Sequence, residues 1–475
     1  MLPAVATLVY ALLILVLFWL DRHREAGTSM GLWVPTLWVL IVASRPVSAW
    51  LEPVRTLDSP QSYLEGSPLD AAIFAILLAA GLLVLVARVH QVGTILRANW
   101  PIIFFFAYCA LSTLWSDHTL VSFKRWTKAV GDVVMVLVVL TDPEQLGAIK
   151  RLLTRVGFVL IPLSILLIKY YPDLARSYSP WDGTQYYSGV TIGKNLLGMT
   201  CLVCGLGSLW CFLPAYQGPK GRERTRALVA HGAVLVMAFW LFWMSNSMSS
   251  LACFVIAGSL MAVTNLFQLT RRPAVVHVLV AAVIWVTLLA LFSDMGGGLR
   301  GSLGRSATLT GRTEIWKQVL GMRRNALVGT GFESFWPPKG MFYERTTGNI
   351  LYGINEAHNG YLEVFLNLGW VGVFLLAVVI VTGYRNVLSA FRRDPHVGAL
   401  KLAFFVACVV YSLTEAGFRM MTMVWIGFLL ATTAVPEAAS PQGSPPLGIE
   451  HTRDFAEPQP QLHHAFDIAF PEETS

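Results

Sequence analysis

Apolar runs of about 18–20 residues, long enough to cross a bilayer as helices, recur along almost the whole chain and limit what it can fold into. They fall near 3–20, 31–48, 69–87, 100–116, 126–141, 152–169, 194–214, 228–244, 249–267, 275–292, 358–384, 400–415 and 420–434. The chain therefore reads as an all-α polytopic membrane protein with 12–13 transmembrane helices. Composition agrees, because only 13% of the residues are charged, against roughly a quarter in soluble proteins. The first run lacks a small-residue cleavage site and reads as an anchor, not a removed signal.

Four regions follow: helices 1–10 in 1–292, a long polar loop at 293–357, further helices in 358–434 and a tail at 435–475. Residues 436–475 hold seven acids and one base, Arg453, for a net charge of −6; the whole chain carries +7, which leaves +13 on the rest. The tail is Pro-rich and without periodicity, so it reads as disordered, with His463 and His464 a solvated pair. The basic body suits anionic headgroups or anionic substrates, and nothing in it resembles a nucleic-acid motif. All six cysteines lie in apolar runs. Cys201 and Cys204 form a CxxC without a second pair, which reads as packing and not as a metal site.

Sidedness follows from Lys and Arg near the runs. "QGPKGRERTRA" (217–227) reads as cytoplasmic, and alternation places 21–30, 88–99, 270–273, 384–394 and the tail with it. Loops 171–193, 245–250 and 293–357 then face outward. The basic 116–128 stretch also falls outside by parity, where "SFKRWTKA" can lie at the interface.

The 293–357 loop carries Arg300, Arg305, Arg312, Lys317, Arg323, Arg324, Lys339 and Arg345. Loops this long without a function are uncommon, and so many outward cations call for an anion. In "TLTGRTEIWKQVLGMRRN" (308–325), Thr310 or Gly311 can cap a short amphipathic helix and place Arg312 in its first turn. A cation there is disfavoured by the helix dipole unless an anion shares the site. Arg305 can approach from the preceding loop; pairing of Arg312 with Glu314, or contact with headgroups, is the plainer reading. "SGVTIGKNLLG" (188–198) sets Lys194 and Asn195 at the start of a membrane run. Arg176 lies upstream among Tyr178, Trp181, Tyr186 and Tyr187, which suit either a membrane-interface belt or sugar faces.

The entrance of the next long run, "NEAHNGYLEVFLNLGWVGVF" (355–374), gathers Glu356, His358, Asn359, Tyr361 and Glu363. A helix beginning near Asn355 or Glu356 sets His358, Tyr361 and Leu362 on one face. Histidine's ordinary pKa suits general-base work near neutrality, and Glu356 or Glu363 can orient its ring. A hydrogen-bonding structural role is the plainer reading of a lone histidine here. Asp132 is the one acid well inside a run and reads as paired with Lys128 one turn away; Glu415 lies at a run end.

"GRTEIW", "VGTGFESFW" and "HNGYLEVFLNLGWVGV", in that order, resemble the O-antigen ligase/O-antigen polymerase superfamily. "SGVTIGKNLLG" and "LGRSATLTGRT" look most like its exopolysaccharide-polymerase branch. The similarity runs from about residue 100, near "LSTLWSDHTLVSFKRW", to "SLTEAGFR" at 412–419. It implies a multi-pass glycosyltransferase of the bacterial inner membrane with its active site facing the periplasm. The donor would be an undecaprenyl diphosphate-linked glycan, with no cofactor and no metal. By matching position, His358 would be the catalytic base and Arg312 the main diphosphate-binding residue, with Arg305 a further candidate. The role of an essential Arg in an earlier outward loop could fall to Arg176 or Lys194. Glu356, Asn359, Tyr361 and Glu363 would support the site.

Polymerisation of an exopolysaccharide or O-antigen is the favoured reading, and a flippase and a chain-length regulator would be fitting partners beside membrane lipids. The nearest alternative is a ligase passing glycan to lipid A-core or a protein hydroxyl. A transporter or flippase for an anionic substrate would place ionisable groups near the midplane and show internal repeats; Asp132 alone meets the first condition, and no repeat is evident.

Overall fold

A computed structural model describes residues 2–22, 27–51, 67–178, 183–266, 273–292, 308–336 and 356–436. The helices, in chain order, are α1 (Pro3–Leu20), α2 (Trp33–Val42), α3 (Val47–Leu51), α4 (Pro68–Val86), α5 (Val89–Ala98), α6 (Trp100–Ser112), α7 (Thr119–Leu140), α8 (Gln145–Tyr170) and α9 (Pro172–Ala175). They continue with α10 (Lys194–Gln217), α11 (Arg222–Ser245), α12 (Met248–Leu266), α13 (Pro273–Phe292), α14 (Thr308–Gly321), α15 (Gly360–Arg393), α16 (Pro395–Tyr411) and α17 (Met423–Thr432). One small antiparallel ribbon, β1 (Arg176–Tyr178) with β2 (Gln185–Tyr187), is not foreshadowed by the apolar periodicity.

The protein is an all-α polytopic membrane protein. Hydrocarbon offers backbone groups no partner, so helices that satisfy their own bonds are the form these runs take. Among the described residues, seven helices are long and apolar enough to span, or eight if α5 and the α6 segment, bent by 87°, count as one. Four more apolar helices are shorter, at 10–17 residues. The 31–48 run shows how a run can form a helix shorter than itself: α2 stops at Val42, and Arg45 leaves the helix to donate to the carbonyls of Leu174, Gly189 (3.0 Å) and Thr191 (3.0 Å).

Side-chain and backbone bonds sort the loops into two groups, one at each end of the long helices. At one end Asp21 meets His231 (3.2 Å) and Lys150 (3.9 Å), and Arg88 meets Asp142 (3.6 Å). At the other, segments around 112–125, 188–195, 247–250, 324–336, 356–363 and 412–422 bond to one another. The basic 116–128 stretch belongs to this second group, where parity had put it, as the end of one continuous helix, α7.

Asp132 does not pair with Lys128. Its two oxygens accept the Trp38 indole N–H (2.9 Å) and the Met421 backbone N–H (2.8 Å), while the Lys128 ammonium lies 5.4 Å from the centre of the Phe74 ring. The reach across to two other segments satisfies a fully buried carboxylate better than a lysine near the surface can.

A break in α15 positions the second group. Gly369 has φ 65° and interrupts the helical ladder. The interruption frees the carbonyls of Leu366 and Asn367 and the N–H groups of Trp370 and Val371. Segment 325–331 fills the gap from outside. Thr330 and Gly331 donate to the two carbonyls (3.2 and 2.8 Å), and Ala326 and Leu327 accept from the two N–H groups (2.9 and 3.1 Å). The approach is so close that a Cβ on Gly369 would stand 2.3 Å from the Leu327 carbonyl carbon, and one on Gly329 would stand 2.4 Å from that of Asn367. A broken membrane helix is tolerable where protein re-satisfies its backbone in this way.

Candidate functional site

His358 does not lie on a helix face, as its spacing from Tyr361 had indicated. Asn359 caps α15, its Oδ1 accepting from Tyr361 N and Leu362 N, both at 3.0 Å, so the helix starts at Gly360. An amide side chain satisfies two N–H groups that otherwise have no intrahelical partner. His358 sits just before that cap in the left-handed region, φ 50°. Backbone strain of this sort costs about 1–2 kcal/mol for a non-glycine residue and persists where surrounding bonds enforce it.

Two carboxylates converge on the ring. Nδ1 of His358 is 3.0 Å from Glu415 Oε2 and 3.1 Å from Glu356 Oε1. Glu415 is buried in the loop between α16 and α17, where it also accepts from Asn195 Nδ2 (3.2 Å) and Ser249 Oγ (3.4 Å). Burial by itself would lower the imidazole pKa, but hydrogen bonds to Glu356 and Glu415 and their negative charges prevail and hold it up at about 10. With its N–H held at Nδ1, the ring leaves Nε2 without a bond to any described residue.

Arg419, four residues beyond Glu415, joins the cluster. Its Nε is 3.4 Å from Glu333 Oε2, and its Nη1 is 3.9 Å from Glu356 Oε2. Glu333 is held by its own backbone, with φ 50°; its carbonyl accepts from Arg125, and the preceding Phe332 carbonyl accepts from Ser122 Oγ at 2.6 Å.

Glu363 supports the site without touching the ring. It accepts from Trp336 Nε1 (2.8 Å) and from the backbone N–H of Ala357, tying two loops to the first turn of α15. Asn367, one turn on, accepts from Ser334 N (2.8 Å) and Phe335 N (2.9 Å). Tyr361 points inward, its hydroxyl donating to Val409 O (3.2 Å) and its ring edge-on to Phe418. Asn359 spends its oxygen on the cap and sends its amide toward Leu413 O (3.4 Å).

The sequence-derived cations divide. Lys194 opens α10 and is exposed beside Asn195, which reaches Glu415. Arg176 stays on its ribbon, 5.8 Å from the centre of the Tyr187 ring, with Nη2 donating to Ile168 O at 3.4 Å; no bond joins it to the His358 cluster. Arg305 and the side chain of Arg312 lie outside the described residues. The helix carrying Arg312 starts at Thr308, so residue 312 belongs to the second turn and not the first. Trp316 of that helix donates its indole N–H to Ala357 O at 2.8 Å, which pins α14 to the residue preceding His358.

Sequence reading missed Glu415, Arg419 and Glu333 as members of the site. Their signal was available: "SLTEAGFR" and "VGTGFESFW" set polar groups in short stretches that flank or interrupt apolar runs. Glu356, His358 and Glu415 also offer one metal-ligand atom each, all within 4.8 Å of one another. His358 Nδ1 is already hydrogen-bonded to both carboxylates, so a cation there would have to displace the ring proton. The donor set can hold a hard divalent ion only after that loss.

The fold and the cluster define a helical membrane protein with a histidine–carboxylate centre at one end of its bundle. Residues 233–377, which include Glu356, His358 and Glu363, match the O-antigen ligase family. The chain is also 25% identical over 362 residues to exopolysaccharide production protein ExoQ of Rhizobium meliloti (strain 1021), covering 74% of this chain and 80% of that protein. Residues 233–377 are thus similar to the O-antigen ligase family, and the likeness to the exopolysaccharide production protein agrees with the branch that the chain's motifs resemble.

Proposed function

We propose that this protein is an inner-membrane glycosyltransferase that polymerises undecaprenyl diphosphate-linked repeat units of an exopolysaccharide or O-antigen on the periplasmic side. The observation that carries this reading is the Glu415–His358 contact, which fixes the Nδ1 proton and leaves Nε2 for a substrate. An acceptor hydroxyl gives its proton to Nε2 while its oxygen attacks the anomeric carbon of the donor. The bond from that carbon to the diphosphate breaks, and the diphosphate leaves with the electron pair. Attack and departure on opposite faces invert configuration, and no carboxylate nucleophile is needed.

The leaving group's charge requires cations. Arg312, Arg305, Lys194 and Arg176 are the candidates from sequence, and Arg419 joins them through its place in the cluster. A small cavity of about 30 Å³ between Glu333, Glu363 and Arg419 shares the Phe106 wall with an apolar cavity of about 260 Å³ lined by Ile102, Trp126, Val130 and Val133. The larger, apolar cavity suits the hydrocarbon chain of an amphiphile that stays in the membrane; the smaller one, walled mainly by Phe105, Phe332, Phe418 and Trp425, has room for little more than a water.

The raised pKa of His358 favours a second reading. A resting imidazolium could donate from Nε2 to the departing phosphate oxygen, with Glu356 taking the acceptor proton. The two differ in the sign of their pH dependence.

Glycan analysis of a strain lacking the gene tests the overall assignment. Loss of long polymer with intact single repeat units supports polymerisation. Accumulation of long, lipid-linked chains that never reach lipid A-core or protein would assign ligation instead, and unchanged glycan would overturn both.

A further inference from the structure

We infer that Asp132 is a positioning residue for the loop that carries Glu415 and Arg419; this rests on the glycosyltransferase reading for its activity test but not for its structural one. The loop Ser412–Thr422 contains no helix and holds both groups that reach the His358 cluster. Its start is tied by Gly360 N to Ser412 O (2.7 Å) and by Asn359 Nδ2 to Leu413 O (3.4 Å). Its far end turns through Met421, whose φ of 55° is unfavourable for a side chain of that size. The Met421 N–H at that corner donates to Asp132 Oδ2 at 2.8 Å.

Asp132 is fully buried on α7, and its other oxygen accepts the fully buried Trp38 indole N–H at 2.9 Å. The Trp38 ring is fixed in turn. It lies so close to α7 that a Cβ on Gly131 would stand 2.2 Å from its Cη2. A carboxylate is the side chain suited to this place, because it is acceptor-only and faces two N–H donors at once. An amide at the same place has one acceptor oxygen, so its NH₂ would meet one of the two donors head-on.

Asp132 therefore works through Met421 and does not meet the substrate. With that corner released, Glu415 and Arg419 lose one end of their support. Misplacement of about 1 Å in such machinery costs on the order of 10²-fold in rate.

The test compares Asp132→Asn with the double variant Asp132→Asn/Trp38→Phe in the full-length protein in detergent or nanodiscs. Phenylalanine removes the indole donor, so the amide oxygen of the new Asn is free to accept from Met421. The single variant is expected to lose about 10²-fold in kcat with little change in KM, and to exchange backbone hydrogens faster across 412–422. The double variant is expected to recover most of both. Wild-type exchange rates in the single variant would overturn the inference whatever the enzyme's substrate. Equal, unrescued loss in the two variants would also overturn it, and would point to a proton carried by Asp132 itself. Absence of turnover in wild-type protein would instead count against the function, and the exchange result would still decide the role of Asp132.

Discussion

His358 Nδ1 and Glu415 Oε2 lie 3.0 Å apart although 57 residues separate them in the chain. One precedes α15 and the other follows α16, so the contact closes the end of that helix pair. Each group sits outside regular helix, on a stretch fixed by other loops.

Replacing Glu415 by Gln removes one of the charges that raise the His358 pKa. If His358 is the base, the neutral ring is the active form, and kcat/KM should climb with pH as the ring deprotonates near 10. In Glu415→Gln that rise should move toward lower pH, with the plateau rate reduced about tenfold or more. A rate that instead falls through the same range would favour the imidazolium reading. The same linkage affects stability. Because the folded pKa lies above the ordinary value of about 6.5, the stabilisation is full below that pH and is lost as pH rises toward about 10.

Arg419→Lys should reduce turnover substantially while leaving insertion intact. A lysine retains the charge but cannot bridge Glu333 and Glu356 with a planar fork. Steady-state kinetics on purified variant decide the matter; a Lys variant equal to wild type would place Arg419 outside the chemistry.

The break at Gly369 makes a purely structural prediction. Alanine there needs an unfavourable φ and drives its Cβ into the Leu327 carbonyl. Gly369→Ala should destabilise the fold by at least about 2 kcal/mol, read as a lower midpoint of thermal unfolding in detergent. An unchanged midpoint would mean that segment 325–331 does not enter the break.

Prolonged chelation tests the alternative use of Glu356, His358 and Glu415. With hydrogen bonds already uniting the three, EDTA should leave turnover unchanged. Activity that disappears on chelation and returns with a divalent ion would assign the cluster to metal binding.

Hydropathy alone made the helical, polytopic architecture legible, because each long run reports its own backbone need. It does not show where a polar residue such as Arg45 ends a helix early to hold a neighbouring loop, so some runs form helices shorter than the run itself. His358 was legible from its company at the entrance of a long run. Its true setting was not, since the Asn359 cap and the left-handed turn depend on tertiary bonds and carry no periodic signal. For Glu415 the polar stretch "SLTEAGFR" marks the place, but its partner is remote in sequence, so nothing local says which ring the carboxylate meets. Asp132 was read as a local i, i+4 pair because helical spacing shows near neighbours only, whereas its partners come from α2 and from Met421 in the loop before α17.

The most direct measurement is turnover of a lipid diphosphate-linked repeat unit by purified wild-type protein beside His358→Ala, with both shown to be monodisperse. With His358 as the base, the wild type should lengthen the glycan and release the lipid diphosphate, while the variant should be slower by on the order of 10²–10⁴-fold. Near-normal polymer from His358→Ala would contradict that role and, with it, the mechanism built on the Glu415 contact.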